Sequence, residues 1–558
     1  MVRKIFDFLY RETGTLNQAA LLLGLFAFLS QVLAFLRDRL LAHIFGASTQ
    51  LDIYYAAFRI PDFIFVTVAS IVSISVLIPF IIEKEALGLE AVRSFVSNIF
   101  SFFSILIFIV SSLAFFLIPT ISSLIFKGFS PEALTQIVLI SRILLLSPIL
   151  LGFSNLLGSL TQAYSRFTIY ALAPLLYNAG IIIGIVVLAE RLGVMGVAIG
   201  IVLGALLHAL IQVPFVMHSK LLPRPSFHLD FSSIKKIVSL SLPRTLSLSM
   251  TNLSTIFLVS MASLMAAGSI SILSFSINLQ SVPLSIIGVS YSLAAFPTLS
   301  RRFRDNDLGA FKQQMAATAR FIIFWSLPFT TLLIVLRAQI VRVILGSGNF
   351  DWDDTRLTAA ALALFALSSM FQCLLLLFMR GFYSAGFTKK PLIINLISTA
   401  IMAIGAWGLV KIFYISESFR LFWGVLLKVE DLSDTAVLML PLAFTVATII
   451  NGLIHWISFE REFKGFSRGV IKTLFDCLGA SIVVGAVSYF ALNIFAPLLE
   501  TTTLLGIFLQ GAIAGLLGLA AGIGVLVLLK SKELFEIGNA LHQRFWKTKI
   551  IATDSEIV

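Results

Sequence analysis

The chain is poor in charged residues and in cysteine. Asp, Glu, Lys and Arg make up 12% of its 558 residues, about half the share in soluble domains. Its 2 cysteines, Cys373 and Cys477, lie in apolar stretches and offer neither a disulfide framework nor a metal site. It contains no Gly-x-x-x-x-Gly-Lys phosphate loop, so it is not itself an ATPase. We therefore expect no enzyme, no metal and no cofactor.

Apolar residues, by contrast, are abundant throughout the chain. The chain is 58% hydrophobic, contains 51 phenylalanines and has a mean hydropathy of +1.00. A helix that crosses the hydrocarbon core needs about 20 apolar residues. The sequence therefore predicts an all-α polytopic membrane protein with fourteen transmembrane helices. The expected spans are 18–41, 52–82, 95–119, 133–160, 169–189, 194–217, 236–262, 268–297, 315–337, 357–383, 391–414, 435–457, 470–496 and 503–529.

The distribution of basic residues predicts the orientation of these spans. An even number of spans places both termini on one side, and the loops and termini of that side hold 26 Lys and Arg, against 8 in the opposite loops. Basic loops stay in the cytoplasm, so both termini are predicted to be cytoplasmic. The same bias explains most of the formal net charge of +12 without a nucleic acid as partner.

Short sequence similarities between the two halves predict an internal repeat. The pattern around Tyr164-Ser165-Arg166-Phe167-Thr168, followed by Pro174, returns around Tyr383-Ser384 and Phe387-Thr388, followed by Pro391. Halves in the same orientation form parallel repeats around a central site. We predict an interfacial amphipathic N-terminus (1–15), an N-lobe of six helices (16–217), a cytoplasmic linker (218–234), a C-lobe of six helices (235–457), two further helices (458–529) and a basic cytoplasmic tail (530–558).

Six arginines fall within or at the ends of the expected spans, where a charge is costly and needs a partner or water. They are Arg37, Arg39, Arg59, Arg142, Arg244 and Arg320. The first two spans also hold three acids, Asp38, Asp52 and Asp62. This density favours a polar substrate cavity. The alternative is structural: the outer charges reach the membrane interface, and Arg59 with Asp62 forms an internal pair that holds the bundle.

The first two spans resemble a known family. The run 31–38 (QVLAFLRD), then 44–47 (IFGA), then 51–62 (LDIYYAAFRIPD) resembles the opening of the MurJ (MviN) lipid II flippases, which belong to the multidrug/oligosaccharidyl-lipid/polysaccharide exporter superfamily. This resemblance implies two six-helix lobes around a central cavity and two further C-terminal helices. It also implies movement of an undecaprenyl-pyrophosphate glycan, such as lipid II, from the inner to the outer leaflet of the bacterial inner membrane by alternating access.

The resemblance suggests roles for particular residues. Because a guanidinium forks onto phosphate oxygens, Arg37 is the first candidate for the headgroup, with Arg59 and Arg244 behind it. Asp52 is interpreted as an orienter or gate of Arg37, and Gln31 and Asn278 as hydrogen-bonding partners of sugars or as interhelical contacts. The candidate gate or hinge residues are Gly46, Pro61 and Pro283.

The chain also departs from the family pattern. Gln31 and Asn278 stand where the family usually has arginines, and Phe65-Val66 replaces a pair of arginines. A flippase for another polyprenyl-linked oligosaccharide and a cation-coupled multidrug exporter therefore stay open, as does a non-transporting scaffold. The expected partners are the anionic lipid-linked glycan and membrane lipids, and the chain is expected to be monomeric. A monovalent cation bound by carbonyls and Asn252, Asn395 or Asn451 also stays open.

Overall fold

A computed structural model describes residues 16–69, 74–226, 229–500 and 502–545, and these contain helices and turns but no strand. The helices, numbered in chain order, are α1 (Leu16–Phe45), α2 (Thr49–Ile64), α3 (Ile74–Glu85), α4 (Leu89–Ile125), α5 (Pro131–Leu144), α6 (Leu146–Ala163), α7 (Phe167–Ile183), α8 (Ala189–Leu192), α9 (Val194–Leu210), α10 (Val213–His218), α11 (Phe231–Ala262), α12 (Ser269–Pro283), α13 (Ser290–Arg304), α14 (Leu308–Val335), α15 (Arg337–Ile344), α16 (Trp352–Ala366), α17 (Ser369–Ser384), α18 (Lys389–Ile415), α19 (Glu417–Leu427), α20 (Met439–Glu462), α21 (Ile471–Phe495), α22 (Leu504–Leu528) and α23 (Lys532–Phe545).

The described residues contain 11 helices long and apolar enough to cross a membrane, or 12 if α16 and α17, bent by 43°, form one broken span. These twelve match the last twelve expected spans, so the all-helical, multi-pass prediction is confirmed. The first expected span falls on α1. The second falls on α2, the π-helical turn Phe65–Ala69 that follows it directly, and α3, and residues 70–73 lie outside the described part. The full count of fourteen stays a prediction, and residues 1–15 and 546–558 lie outside the described residues.

Two prolines predicted as hinges each precede a wide π-helical turn. Pro61 lies inside α2, four residues before the turn Phe65–Ala69. Pro283 ends α12 and is followed at once by the turn Leu284–Val289. Proline lacks the N–H that the regular helix needs and its ring crowds the preceding turn, so a local change in winding is the expected response. The structure thus places irregular backbone at both sites, while motion there stays a prediction.

The contacts group the chain into two compact units. Unit 1 comprises Met1–Leu279, Val341–Leu364 and Thr388–Thr448, and its core is built mainly by α2, α3, α4, α6, α10 and the start of α11. Within it α7 and α9 approach closely through glycine. A Cβ atom on Gly180 would overlap the backbone of Gly204, and one on Gly184 would overlap that of Gly200. Only glycine permits this backbone-to-backbone contact.

Unit 2 comprises Gln280–Ile340, Phe365–Phe387 and Ile449–Val558. Its core is rich in phenylalanine, with Phe459 at the centre of ring contacts to Phe311, Phe378 and Phe382. The last helix, α23, is attached to α21 and α14 by the buried carboxylate of Glu533, which accepts from the hydroxyl of Thr473 at 2.8 Å and pairs with Arg320 at 3.1 Å. The lobes predicted from the internal repeat, 16–217 and 235–457, stay predictions.

Candidate functional site

Arg37 and Asp38 form an ion pair inside unit 1. Both lie on α1, and Nη2 and Nε of Arg37 donate to Oδ1 of Asp38 at 2.7 and 2.9 Å. The side chain of Asp38 is only 4% exposed and that of Arg37 20%. A buried carboxylate needs such a partner, because burying an unpaired charge is strongly unfavourable. Asp38 is therefore the residue that orients Arg37.

Two asparagines extend this pair into a network. Asn278 of α12 donates through Nδ2 to Oδ2 of Asp38 at 3.0 Å. Asn178 of α7 accepts from Nη1 of Arg37 at 3.4 Å and donates to the hydroxyl of Ser30 at 3.2 Å. Three helices of unit 1 thus hold one charged pair through neutral amides.

Arg59 of α2 supplies a second guanidinium. Its Nη2 donates to the hydroxyl of Ser274 on α12 at 3.1 Å, while its Nε is buried with no hydrogen-bond acceptor among the described residues. Asp62 follows one turn later on α2 and is half-buried. A buried N–H donor without an acceptor is unfavourable, so Arg59 retains capacity for an anionic or hydroxyl-bearing ligand.

These groups face a cavity of about 190 Å³. The hydroxyl of Tyr55 is buried there without a hydrogen-bond partner among the described residues. The lining carries two guanidiniums and one carboxylate, so it favours an anion. Pockets for whole drug-sized ligands have about 300–1,000 Å³, so this one fits a phosphate-sized part of a ligand. The lining residues are Arg37, Asp38, Leu41, Tyr54, Tyr55, Phe58, Arg59, Tyr177, Ile181, Ile201, Ser274, Ile277 and Asn278.

Asp52, interpreted from the sequence as an orienter or gate of Arg37, does not line the cavity. Its Oδ2 accepts from the backbone N–H of Gly268 at 2.7 Å, and its Oδ1 accepts from the backbone N–H of Ser271 at 2.7 Å and from its hydroxyl at 2.6 Å. These donors form the start of α12, where unpaired N–H groups and the helix dipole favour a carboxylate. Asp52 therefore caps α12 in this structure, and its role as an orienter or gate of Arg37 stays a prediction.

Gly46 occupies a tight turn between α1 and α2. Its φ is +60°, and a Cβ atom there would overlap the backbone carbonyl of Asn349. The same asparagine donates through its backbone N–H to the carbonyl of His43 at 3.0 Å and through Nδ2 to that of Ile44 at 2.6 Å. Asp354 accepts from the backbone N–H of Ala47 at 3.0 Å. The segment around Asn349 and Asp354 therefore fastens this turn.

A further ion pair lies near this segment in the sequence. Arg356 donates through Nη1 to Oδ2 of Asp431 at 2.7 Å, and its Nη2 bonds to Oδ1 of the same carboxylate. Hydrogen bonds from this guanidinium lower the pKa of Asp431 to about 2. The pair ties the loop after α19 to the start of α16.

The other predicted residues are not brought into the cavity by the described structure. Gln31 is half-buried on α1 and does not line the cavity. The side chain of Arg244 lies outside the described residues. Pro283, at the end of α12, belongs to unit 2. No set of three or more His, Cys, Asp or Glu among the described residues could hold a metal ion.

Sequence reasoning missed Asn178 and Ser274, which bond to the two arginines, and three tyrosines of the site. Tyr54, Tyr55 and Tyr177 line the cavity, although the chain has only 10 tyrosines. Two of them stand between Asp52 and Arg59 in the run that resembles the family. Tyr55 lies four residues before Arg59 and therefore on the same face of α2. This spacing could have identified Tyr55 as a site residue from the sequence.

Known proteins show the same architecture. Residues 41–509 match the family model described as lipid II flippase MurJ. The probable lipid II flippase MurJ of Rickettsia prowazekii (strain Madrid E) is 26% identical over 390 residues, which cover 69% of this chain and 77% of that relative. A solved lipid II flippase MurJ in an inward closed conformation is similar with a TM-score of 0.70 and 23% identity, over 91% of this chain and 99% of that one. An inward-facing multidrug resistance MATE family transporter of the MOP superfamily has a TM-score of 0.62 and 15% identity, over 78% and 96%.

The two structural similarities are below 25% identity and show the fold. The family model goes further, because it extends from the last turns of α1 into α22 and includes Asp52, Arg59 and Asn278. It begins after Arg37 and Asp38, whose site assignment rests on the geometry described above. By the match over most of its length, this multi-pass helical chain belongs to the lipid II flippase MurJ family.

Proposed function

We propose that the cavity between α1, α2, α7 and α12 binds the pyrophosphate of a lipid-linked cell-wall precursor, lipid II or a close analogue, while the chain moves it across the membrane. One observation carries this proposal: two half-buried guanidiniums, of Arg37 and Arg59, share a cavity with a single carboxylate. Three amide and hydroxyl side chains, of Asn178, Asn278 and Ser274, hold the charged groups in place.

The physical demand of such transport fits these groups. A pyrophosphate headgroup cannot enter about 30 Å of hydrocarbon unless other charges replace its hydration. Arginine stays protonated and offers several N–H donors in one plane, which match phosphate oxygens. The free Nε of Arg59 and the unpartnered hydroxyl of Tyr55 are donors that a phosphate oxygen would satisfy. The sugars and peptide of the headgroup exceed a cavity of about 190 Å³, so they would need a wider state.

Alternating access supplies that wider state in this proposal. The chain would contain fourteen transmembrane helices, with lobes 16–217 and 235–457 moving relative to each other and both termini in the cytoplasm of a bacterial inner membrane. The bias of Lys and Arg between loops supports the orientation. The irregular turns after Pro61 and Pro283 support bending at those sites. Movement of a net charge through the membrane potential would contribute roughly 2.3 kcal/mol per charge per 100 mV. We propose that one copy of the chain carries out this cycle. Coupling of transport to a monovalent cation would be a further proposal, on which this cycle does not depend.

A second candidate is the transport of another polyprenyl-linked oligosaccharide. The observation that favours it is Asn278, an amide where the family resemblance expects an arginine. Its Nδ2 donates to Asp38. Because a neutral amide replaces a guanidinium at this position, the cavity has one positive charge fewer than the family pattern. A passenger with a single phosphate suits this composition.

Translocation by the full-length protein in liposomes tests the proposal. Lipid II with a fluorescent headgroup is placed in both leaflets, and a membrane-impermeant quencher reports how fast the inner pool reaches the outside. We expect transport by the wild type, and a loss of at least tenfold in rate for Arg37→Ala, because charge-assisted hydrogen bonds to the phosphate disappear. Arg37→Lys retains the charge without the fork and should be intermediate.

The matched control is Arg420→Ala, since Arg420 is 51% exposed and pairs only loosely with Glu417 at 3.8 Å. It should transport as the wild type does. Equal rates for Arg37→Ala and wild type would contradict the site. Transport of a singly phosphorylated polyprenyl glycan but not of lipid II would establish the second candidate. Transport of organic cations alone would assign the chain to drug export.

A further inference from the structure

A second cavity lies in unit 1, on the surface formed by α4, α5 and α6. It has a volume of about 610 Å³, more than three times that of the first. Phe108 and Phe116 of α4, which are 67% and 74% exposed, and Leu139 and Leu146 of α5 and α6, which are 52% and 51% exposed, form its rim. We call this cavity the α4–α6 groove. Its lining is mainly aromatic and aliphatic, which suits a hydrocarbon chain.

One cation breaks this apolar surface. Arg142 of α5 donates through Nε to the backbone carbonyl of Phe115 at 3.1 Å, and its guanidinium carbon lies 4.4 Å from the centre of the Phe115 ring. Among the described residues Arg142 forms no ion pair, and its Nη groups donate to no acceptor. A guanidinium in an apolar span without an acid partner calls for an anion from outside the chain.

A second polar group points to the same ligand. Ser111 of α4 is 5% exposed and lines the groove, yet its hydroxyl has no hydrogen-bond partner among the described residues. A buried hydroxyl without a partner is unfavourable. Together with Arg142 it offers one charged and one neutral donor to an oxygen-rich group.

The order of these groups along the helices matches a lipid. Arg142 and Phe115 lie nearer the turn between α4 and α5, whereas Phe108 and Ile149 lie deeper. From Leu139 to Ile149 the groove extends about 15 Å at 1.5 Å per residue, a length equal to about half of the roughly 30 Å hydrocarbon core. A lipid whose phosphate reaches Arg142 would therefore lay one chain along the groove.

We propose that the α4–α6 groove binds an anionic phospholipid of the surrounding membrane, with its phosphate on Arg142 and Ser111 and one acyl chain along the apolar lining. The charge of the site selects the class of ligand. A zwitterionic phospholipid carries its own cation beside the phosphate, which competes with Arg142. This site is independent of the substrate cavity, since it shares no lining residue with it.

Native mass spectrometry of the full-length protein, titrated with dioleoyl phosphatidylglycerol, tests this inference. We expect one lipid to bind more tightly than dioleoyl phosphatidylcholine by at least tenfold. Arg142→Ala should weaken phosphatidylglycerol binding about tenfold, Arg142→Lys about threefold, and Ser111→Ala by a smaller factor. Lys411→Ala is the matched control, because Lys411 also lies over an aromatic ring, 5.0 Å from the centre of Trp407, but outside the groove. It should change nothing.

A second variant separates binding from folding. Leu146→Trp fills the groove from its exposed rim and should displace the lipid while the melting temperature stays at the wild-type value. Leu516→Trp, at a position that is 68% exposed on α22, is its control and should bind normally. Equal binding of phosphatidylcholine, or unchanged binding in both Arg142→Ala and Leu146→Trp, would overturn the proposal. Preference for undecaprenyl phosphate over phosphatidylglycerol would also overturn it and assign the groove to a carrier lipid.

Discussion

Asn278 donates a hydrogen bond to the same carboxylate that pairs with Arg37: its Nδ2 lies 3.0 Å from Oδ2 of Asp38. The residues are 240 positions apart, and the contact joins α12 to α1 inside unit 1. It fixes the direction in which Asp38 holds Arg37. Because Asn278 lines the cavity, a charged residue introduced at this position would change the net charge of the cavity.

Two substitutions of Asn278 should shift the affinity for an anionic headgroup in opposite directions. Asn278→Asp places a second carboxylate against Asp38 and should raise the apparent KM for lipid II at least tenfold. Asn278→Arg supplies a further guanidinium and should lower the apparent KM several-fold. The measurement is the initial translocation rate as a function of lipid II density. Asn493→Asp is the control, because Asn493 is exposed and bonds only to the carbonyl of Tyr489.

A shift of the apparent KM in the same direction for both Asn278 variants would contradict this account of the cavity. So would an effect of Asn493→Asp as large as that of Asn278→Asp.

Loss of the carboxylate that caps α12 should destabilise the fold. Asp52→Ala leaves two buried backbone N–H groups and a buried hydroxyl without their acceptor, at a cost of about 1–3 kcal/mol. Asp307→Ala removes an exposed cap that accepts from the backbone N–H of Ala310 and pairs loosely with Arg302 at 3.6 Å, and should cost about 0.5–1 kcal/mol. Thermal unfolding of the purified proteins compares them. Equal melting temperatures of these two variants would count against the capping role of Asp52.

The Gly46 turn should not tolerate a side chain. Gly46→Ala combines the strain of φ +60° with overlap on the carbonyl of Asn349. Gly386→Ala is a matched variant, since Gly386 has φ +78° in the turn that ends α17 and nothing within 4 Å of the added Cβ. Left-handed backbone costs about 1–2 kcal/mol for a residue with a Cβ, and overpacking about 1–3 kcal/mol more. Gly46→Ala should therefore melt at a lower temperature than Gly386→Ala, and the opposite order would refute the close contact.

The ion pair of Arg356 and Asp431 should make stability depend on pH. The pKa of Asp431 is lowered to about 2 in the folded state, below about 3.9 for an unfolded Asp. The pair therefore stabilises the fold above the unfolded pKa, and this contribution is lost as the pH falls toward 2. The difference in melting temperature between wild type and Asp431→Asn should shrink between pH 6 and pH 3. Asp305→Asn, which removes a looser exposed partner of Arg304 at 3.6 Å, should show no comparable trend.

The helical fold could be predicted from the sequence because its signals are local. Twelve expected spans coincide with helices or a bent helix pair, since each is encoded by about 20 consecutive apolar residues. The change of helical winding after α2 was less visible. Pro61 marks the region, but the sequence does not specify the wide turn at Phe65–Ala69. Proline can kink, widen or end a helix, and the packing around it decides which of these occurs.

The site could be predicted only in part, because partners distant in sequence decide the role of a charge. Arg37 and Arg59 were identified from the cost of a charge in an apolar span, and both line the cavity. The hydrogen bonds of Asp52 could not be predicted, since its donors lie at Gly268 and Ser271, more than 200 residues away. Asn278 was recognised as a candidate, but its bond to Asp38 follows from how α12 packs against α1.

The glycines that join α7 and α9 have a mechanical consequence. The helices joined by these glycines also carry residues of the site: Tyr177 and Asn178 lie on α7, and Ile201 lies on α9. The glycines in contact are Gly180 with Gly204 and Gly184 with Gly200. Backbones in direct contact have no side-chain layer that could slide or repack between them. The wall of the cavity formed by α7 and α9 is therefore rigid, and a rearrangement that admits a large substrate has to take place in the helices beside it.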